Sequence, residues 1–274
     1  MNDLSIIIPV FNQVSYTARC LDSLKVCGVV SEDQIIIIDN ASTDETATFL
    51  AGRPGLRVIS NEQNRGCSFA WNQGAQASTA RWLLVLNNDT VVPPGCIEGL
   101  INFAEKSGFD IVSPAKVEGD LDYEFLSFAN AFQNKMSPAV RAGWATGSSF
   151  MVHRRVFDKI GFFDTKLGLA GNEDDDLFRR ARKEGFRLAI TGRAFLHHFG
   201  SVTQRSVKTA LRLPASAPLA DRQYYRDKHH LNWWRRRGER FREKVLLKVW
   251  RWNELRRFGL TLKMVRFEGR WHFQ

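Results

Sequence analysis

Four groups of polar residues could carry chemistry. Asp89 closes the run Asn87-Asn88-Asp89, directly after an apolar stretch. A carboxylate placed there is a hard oxygen ligand suited to Mg²⁺ or Mn²⁺, with phosphates able to complete the shell. The same run would also make an ordinary turn. Asp39 ends a second apolar stretch and opens Asp39-Asn40-Ala41-Ser42. It could accept a hydrogen bond from a nucleobase imide N–H or a ribose hydroxyl, or it could simply cap a turn. Glu173, Asp174, Asp175 and Asp176 are four consecutive acids. At a helix start they gain from the macrodipole, and crowding raises the pKa of one or more, which suits a proton acceptor. A solvated acidic helix start is the alternative. His198 precedes Phe199-Gly200-Ser201. It could bind metal or phosphate, although a lone histidine is more often structural.

These side chains need elements to bring them together. Residues 4–10, 34–39, 56–60 and 81–86 read as strands. Residues 15–26 and 67–77 read as helices, and another helix follows Pro94. Ser42 and Glu45 fit a capping box, so a helix is expected to start there. Strands alternating with helices predict an α/β fold, with a mostly parallel, Rossmann-like central sheet and helices on both faces. Ligands of such sheets bind at the carboxyl ends of the strands. Asn12, Asp39 and the run 87–89 all follow strands and should share one edge. The region from 110 to 199 is less regular. It offers a strand over 144–153, a Gly- and Phe-rich loop over 161–171, a helix over 172–184 and a strand over 187–198.

The charge of +10 is unevenly spread. Residues 204–274 hold 19 Lys/Arg against 6 Asp/Glu, a net +13, while residues 1–203 sum to −3. Five of the eight tryptophans lie in the same basic stretch. This break predicts a boundary near residue 204, between a domain over 1–203 that holds the candidate catalytic residues and a basic, aromatic, helical extension over 204–274. Phe241, Val245, Val249, Trp252 and Leu255 recur at helical spacing within it. Three partners fit such a face: the catalytic domain or a second subunit in a homo-oligomer, an anionic membrane surface, or nucleic acid. No recognition motif supports nucleic acid, so that partner is not expected. The cysteines Cys20, Cys27, Cys67 and Cys96 form no CxxC pair and are expected to be reduced. No signal peptide is visible, and no apolar run approaches the roughly 20 residues that span a bilayer. A cytoplasmic chain, peripheral on the inner face of a membrane, is the expectation.

Taken in order, the blocks resemble glycosyltransferase family 2 and its GT-A fold, in particular a bacterial branch that includes rhamnosyltransferases. They are SIIIPVFN at 5–12, IDNASTD at 38–44, Asn64-Arg65-Gly66 with Asn72-Gln73-Gly74, and LNND at 86–89. GFFD at 161–164, EDDDL at 173–177 and HFGS at 198–201 complete the set. Tyr224-Tyr225-Arg226-Asp227-Lys228 is similar to a stretch that follows the catalytic domain in that branch.

The resemblance implies metal-dependent, inverting transfer of a sugar from a dTDP- or UDP-linked donor to an acceptor hydroxyl, as in cell-surface polysaccharide assembly. Pro9, Phe11, Asn12, Asp39, Asn64, Arg65, Gly66 and Asn88 would hold the donor. Asp89 and His198 would meet a Mg or Mn ion. Asp174 would be the catalytic base, beside Glu173, which would orient a saccharide or lipid-linked saccharide acceptor. The first acid of the family's DxD motif is Asn87 here, and Asp175 rivals Asp174 as base. A nucleotide-sugar binding module without catalysis is the competing expectation. A nucleotidyltransferase would need a Gly-rich phosphate loop with a basic residue, which residues 9–13 do not offer.

Overall fold

The computed structural model of the chain describes residues 3–27, 31–169 and 171–274. The strands are β1 (Leu4–Val10), β2 (Ile35–Asp39), β3 (Arg57–Ser60), β4 (Trp82–Leu86), β5 (Thr90–Val91), β6 (Ile111–Gly119), β7 (Val140–Ala142), β8 (Ser149–His153), β9 (Leu188–His198), β10 (Lys263–Phe267) and β11 (Arg270–Phe273). The helices are α1 (Val14–Cys27), α2 (Thr46–Ala51), α3 (Cys67–Ala77), α4 (Cys96–Ser107), α5 (Phe125–Met136), α6 (Arg154–Ile160), α7 (Glu173–Lys183), α8 (Val202–Ala210), α9 (Arg222–Lys228) and α10 (Trp233–Phe258).

One sheet runs β11-β10-β6-β8-β4-β1-β2-β3, and β9 lies beside β6 while pairing the short β5 and β7. β4, β1, β2 and β3 are parallel neighbours. The near-continuous apolar sequences of β4, β1 and β2 follow from burial on both faces, while the edge strand β3 is only partly buried. Ile6, Ile8 and Val10 of β1 pack with α1 and α4 on one face. Ile7 packs with Trp71 and Ala75 of α3 on the other. Gly74 lets α3 come close, because a Cβ there would strike Ile7. The register pairs Val10 with Asp39 and Asp39 with Ser60, so these strands end together at one edge.

The structure departs from expectation in four places. The helix after Ser42 begins at Thr46 with no side-chain cap from Glu45. Ser42 serves a loop instead: its hydroxyl accepts the Asn12 N–H at 2.8 Å. The irregular middle contains β6, α5 and α6, and the strand expected over 144–153 starts at Ser149. Within the loop expected over 161–171, residue 170 lies outside the described residues. Finally, the extension, expected to be helical, ends in the β10–β11 hairpin, and β10 pairs in parallel with β6. All four cysteines are free, and burial pushes the Cys20 and Cys27 thiols up to about 12. Among the described residues no helix is long and apolar enough to cross a membrane.

Candidate active site

A cavity of about 440 Å³ opens where β1 and β4 end. Pro9 and Phe11 reach it from β1, Asn88 and Asp89 from the turn after β4, and Asn64 from the loop before α3. Glu173 and Asp174 enter from the start of α7, and His198 from the end of β9. Eight of the residues singled out from sequence therefore share one chamber.

Asp89 and His198 meet because β5 pairs with β9, setting Thr90 opposite His198. The Asp89 backbone carbonyl also accepts the Phe199 N–H at 2.9 Å. Both side chains are buried. Asp89 Oδ1 lies 3.2 Å from His198 Nε2, yet neither atom has a hydrogen-bond partner. Asp89 Oδ2 accepts the Val202 N–H at 3.3 Å. Burial works to raise the Asp89 pKa, but His198 and the Val202 amide hold it below its ordinary value. For His198, burial works downward, and Asp89 with Glu118 turns the net shift upward. A buried carboxylate oxygen and a buried imidazole nitrogen with no polar contact but each other fit a divalent cation between them and the phosphates of a ligand. Among the described residues no group of three His, Cys, Asp or Glu side chains converges on such a site. A cation there would draw its remaining ligands from phosphate and water.

The four acids of α7 separate by direction. Glu173 and Asp174 face the cavity. Asp175 is exposed. Asp176 is fully buried and bound to Arg180 at 2.8 Å, Lys228 at 2.7 Å and His229 at 2.8 Å. Burial, then the charges of Asp175 and Glu173, pushes Asp174 up to about 7. Burial also raises Glu173. Asp174 lies against Gly147, where a Cβ would collide with its carboxylate. Asp164 accepts Tyr224 Oη at 2.9 Å and Lys228 Nζ at 2.6 Å. The Tyr-Tyr-Arg-Asp-Lys segment is thus anchored by the acids that do not face the cavity.

Asp39, at the end of β2, and Asn12, Arg65 and Gly66, in neighbouring loops, are not among the lining residues. Asn12 Oδ1 accepts the Thr43 N–H at 2.6 Å, and Asp39 Oδ1 accepts the Ser42 N–H at 2.9 Å. Asn40, next to Asp39, does line the cavity. Arg65 lies over the Phe69 ring, 3.6 Å from its centroid. The Gly66 carbonyl accepts Asn40 Nδ2 at 3.2 Å. Asn88 spends its amide on Thr17 at 3.0 Å and on Thr203 at 2.8 Å.

The opposite wall was not foreseen. β6 supplies Lys116 and Glu118, two residues apart and so on one face. Their side chains pair at 2.7 Å. β7 supplies Arg141, Trp144 follows it, and α10 and β10 supply Glu243, Leu247, Trp250 and Lys263. Trp144 and Trp250 meet edge to face with centroids 5.5 Å apart. Alternation along β6 was the available signal, masked by Pro114. The strand tolerates that proline through a shift of its register with β9 between Pro114 and Ala115.

Known proteins resemble this chain in sequence and in fold. A solved structure of GalNAc-T7 with UDP, GalNAc and Mn²⁺ superposes with a TM-score of 0.56 over 71% of this chain and 43% of that one, at 18% identity. This is a likeness of fold, the GT-A arrangement. The succinoglycan biosynthesis protein ExoO of Rhizobium meliloti is 30% identical over 112 residues, 40% of this chain and 32% of that protein. The chain therefore spans about a third of that relative's length. The N-acetylglucosaminyl-diphospho-decaprenol L-rhamnosyltransferase of Mycobacterium tuberculosis is 27% identical over 243 residues, 73% of this chain and 76% of that protein. The family model described as glycosyl transferase family 2 matches residues 5–162, more than half of the sequence. The chain belongs to glycosyl transferase family 2.

Proposed function

We propose that the chain transfers a sugar from a dTDP- or UDP-linked donor to an acceptor hydroxyl, with inversion, in the assembly of a bacterial surface polysaccharide or glycoconjugate. The observation that carries this reading is the direction of Asp174. It faces the same chamber as Asp89 and His198, while Asp175 faces out and Asp176 is tied up in ion pairs. Pro9, Phe11, Asn40 and Asn64 suit the nucleoside end of a donor. Asn12, Asp39, Arg65, Gly66 and Asn88 shape the loops around it. Asp89 and His198 would hold Mg²⁺ or Mn²⁺, which would supply positive charge to offset the departing diphosphate. Asp174 takes the proton of the acceptor hydroxyl as its oxygen bonds to the anomeric carbon and the bond to the diphosphate breaks. Glu173 orients that acceptor.

Residues 1–203 serve as the catalytic domain in this reading, and 204–274 complete its acceptor wall. Trp144 and Trp250 offer a sugar ring an aromatic surface within the chamber that Asp174 also lines. The name of the mycobacterial relative favours a rhamnosyl donor and a lipid-diphosphate-linked acceptor; a place at the cytoplasmic face of a membrane is part of the same proposal.

The test is a panel of nucleotide sugars, with Mg²⁺, Mn²⁺ or chelator, read as release of free nucleoside diphosphate with and without saccharide acceptors. One donor should turn over and chelator should suppress it. Asp174→Asn should lower transfer by about 10²–10⁴-fold, with donor affinity by calorimetry unchanged. Near-normal turnover in that variant would remove Asp174 from the mechanism. Donor binding without turnover would favour a binding module.

A further inference from the structure

We propose that α10 docks the protein on an anionic lipid surface through the face it turns away from the cavity. At 3.6 residues per turn, Glu243, Leu247, Trp250 and Glu254 lie along one side of α10. The first three line the cavity and Glu254 is buried. Trp234, Phe241, Val245, Val249 and Trp252 fall on the opposite side, within an arc of about 80°. They are 74%, 68%, 43%, 55% and 61% exposed. Nothing among the described residues covers this stripe.

Charge selects the occupant. α10 carries ten Lys/Arg and three acids. All three acids belong to the inner side: Glu239 is bound to Arg179 at 2.7 Å, Glu254 to Arg141 at 2.8 Å, and Glu243 sits at the cavity. The charged neighbours of the outer apolar side chains are therefore all cations, Arg237, Lys244, Lys248 and Arg251 along one margin and Arg235 and Arg242 along the other, with Arg256 within the stripe toward its C-terminal end. Trp233, Phe241, Arg236, Arg237, Arg240 and Lys244 also line a shallow depression, a setting for a phosphate headgroup. Long cationic stems can lie along the apolar band with their charges in the headgroup layer. A second copy of the chain meeting this face by two-fold symmetry would set cations against cations. Nucleic acid offers no partner for Val245 and Val249. An anionic bilayer satisfies both the stripe and its margins.

Docking in this orientation also has a consequence that rests on the transfer reaction proposed above. The acceptor wall would lie one helix diameter, about 10 Å, from the lipid surface, within reach of a lipid-linked saccharide.

The test is co-sedimentation of the full chain with vesicles of phosphatidylcholine alone and of phosphatidylcholine with phosphatidylglycerol. Binding should appear only with the anionic lipid, weaken with salt, and bring a blue shift of tryptophan emission. F241S/W252S should lower the partition coefficient about tenfold or more, with the thermal unfolding midpoint and the circular dichroism of the parent. If that variant misfolds, Val249→Ser serves as a milder change, expected to act in the same direction. Absence of anionic binding, or binding that these changes leave intact, would overturn the proposal. A concentration-dependent dimer in light scattering that the substitutions abolish would overturn it in favour of a self-association face. Turnover of a soluble acceptor, measured without vesicles, bears on the transfer reaction alone and separates a failure of that reaction from a failure of docking.

Discussion

Asp174 lies half-buried against Gly147, with the charges of Glu173 and Asp175 close by. Its carboxyl titrates near 7, against 3.8 ordinarily. Between those values the folded chain keeps a proton that the unfolded chain has lost. The associated stability is fully present below the ordinary pKa and is lost as pH rises through about 7. Asp174→Asn removes that loss. Thermal melts should show no gap between variant and parent at pH 4, and a gap opening in the variant's favour up to pH 8. A gap that stays flat would show that Asp174 is not titrating as described. On the base role proposed for Asp174, turnover of the parent should have the opposite slope, rising through about 7, because a base must be ionised to act. The residue types at this site were legible in sequence. Which of the four acids faces the cavity was not legible from their pattern, because a run of identical chemistry around a helix start gives no direction; only the family resemblance pointed to Glu173 and Asp174, the two that line it. Gly147, the residue that lets Asp174 lie where it does, looked in sequence like any other glycine.

At the scale of elements, α10 is held by one buried pairing. Arg141 of β7 grips Glu254 through two hydrogen bonds of 2.8 Å and donates a third to the Gln274 carbonyl at 2.7 Å. Glu254 also accepts the Leu262 N–H at 2.9 Å, which fixes the turn from α10 into β10. Arg141→Ala would strand the Glu254 carboxylate in a dry setting and should cost about 3–5 kcal/mol in urea unfolding. R141M/E254L should recover much of that loss, since apolar replacement of a buried pair is often near neutral. A cost below about 1 kcal/mol for Arg141→Ala would show that the pair is solvated. The 3.6-residue period of α10 was readable beforehand, but periodicity names an apolar face without naming its partner. Here the expected stripe is the exposed one, and the packed side is built from Glu, Leu and Trp. The β10–β11 hairpin had a signal: Glu268 and Gly269, both at positive φ, make a two-residue turn between KMVRF and RWHF. Basic residues in both strands obscured it.

Across the whole molecule, the break in charge near residue 204 marks a change of composition, yet the sheet and the cavity both cross it. The parallel core from β1 to β4 was legible because uninterrupted apolar runs between helical periods admit few other arrangements. The far half of the sheet was not, because β6 contains a proline and draws its partners β8, β9 and β10 from distant stretches of chain. That last pairing also bears on time. Lys263 pairs with Lys116 across a long intervening stretch of chain, and distant parallel pairings form slowly. On dilution from denaturant, helical ellipticity should return in an early phase. The near-ultraviolet signal of the Trp144–Trp250 contact should return later, with Trp250→Phe as the control that removes it. Simultaneous recovery of both signals would exclude this order of events. With the later phase comes the wall built from β6, β7 and α10, so under the transfer proposed above a refolding molecule would hold a pocket for its donor for an interval before it could hold anything to transfer to.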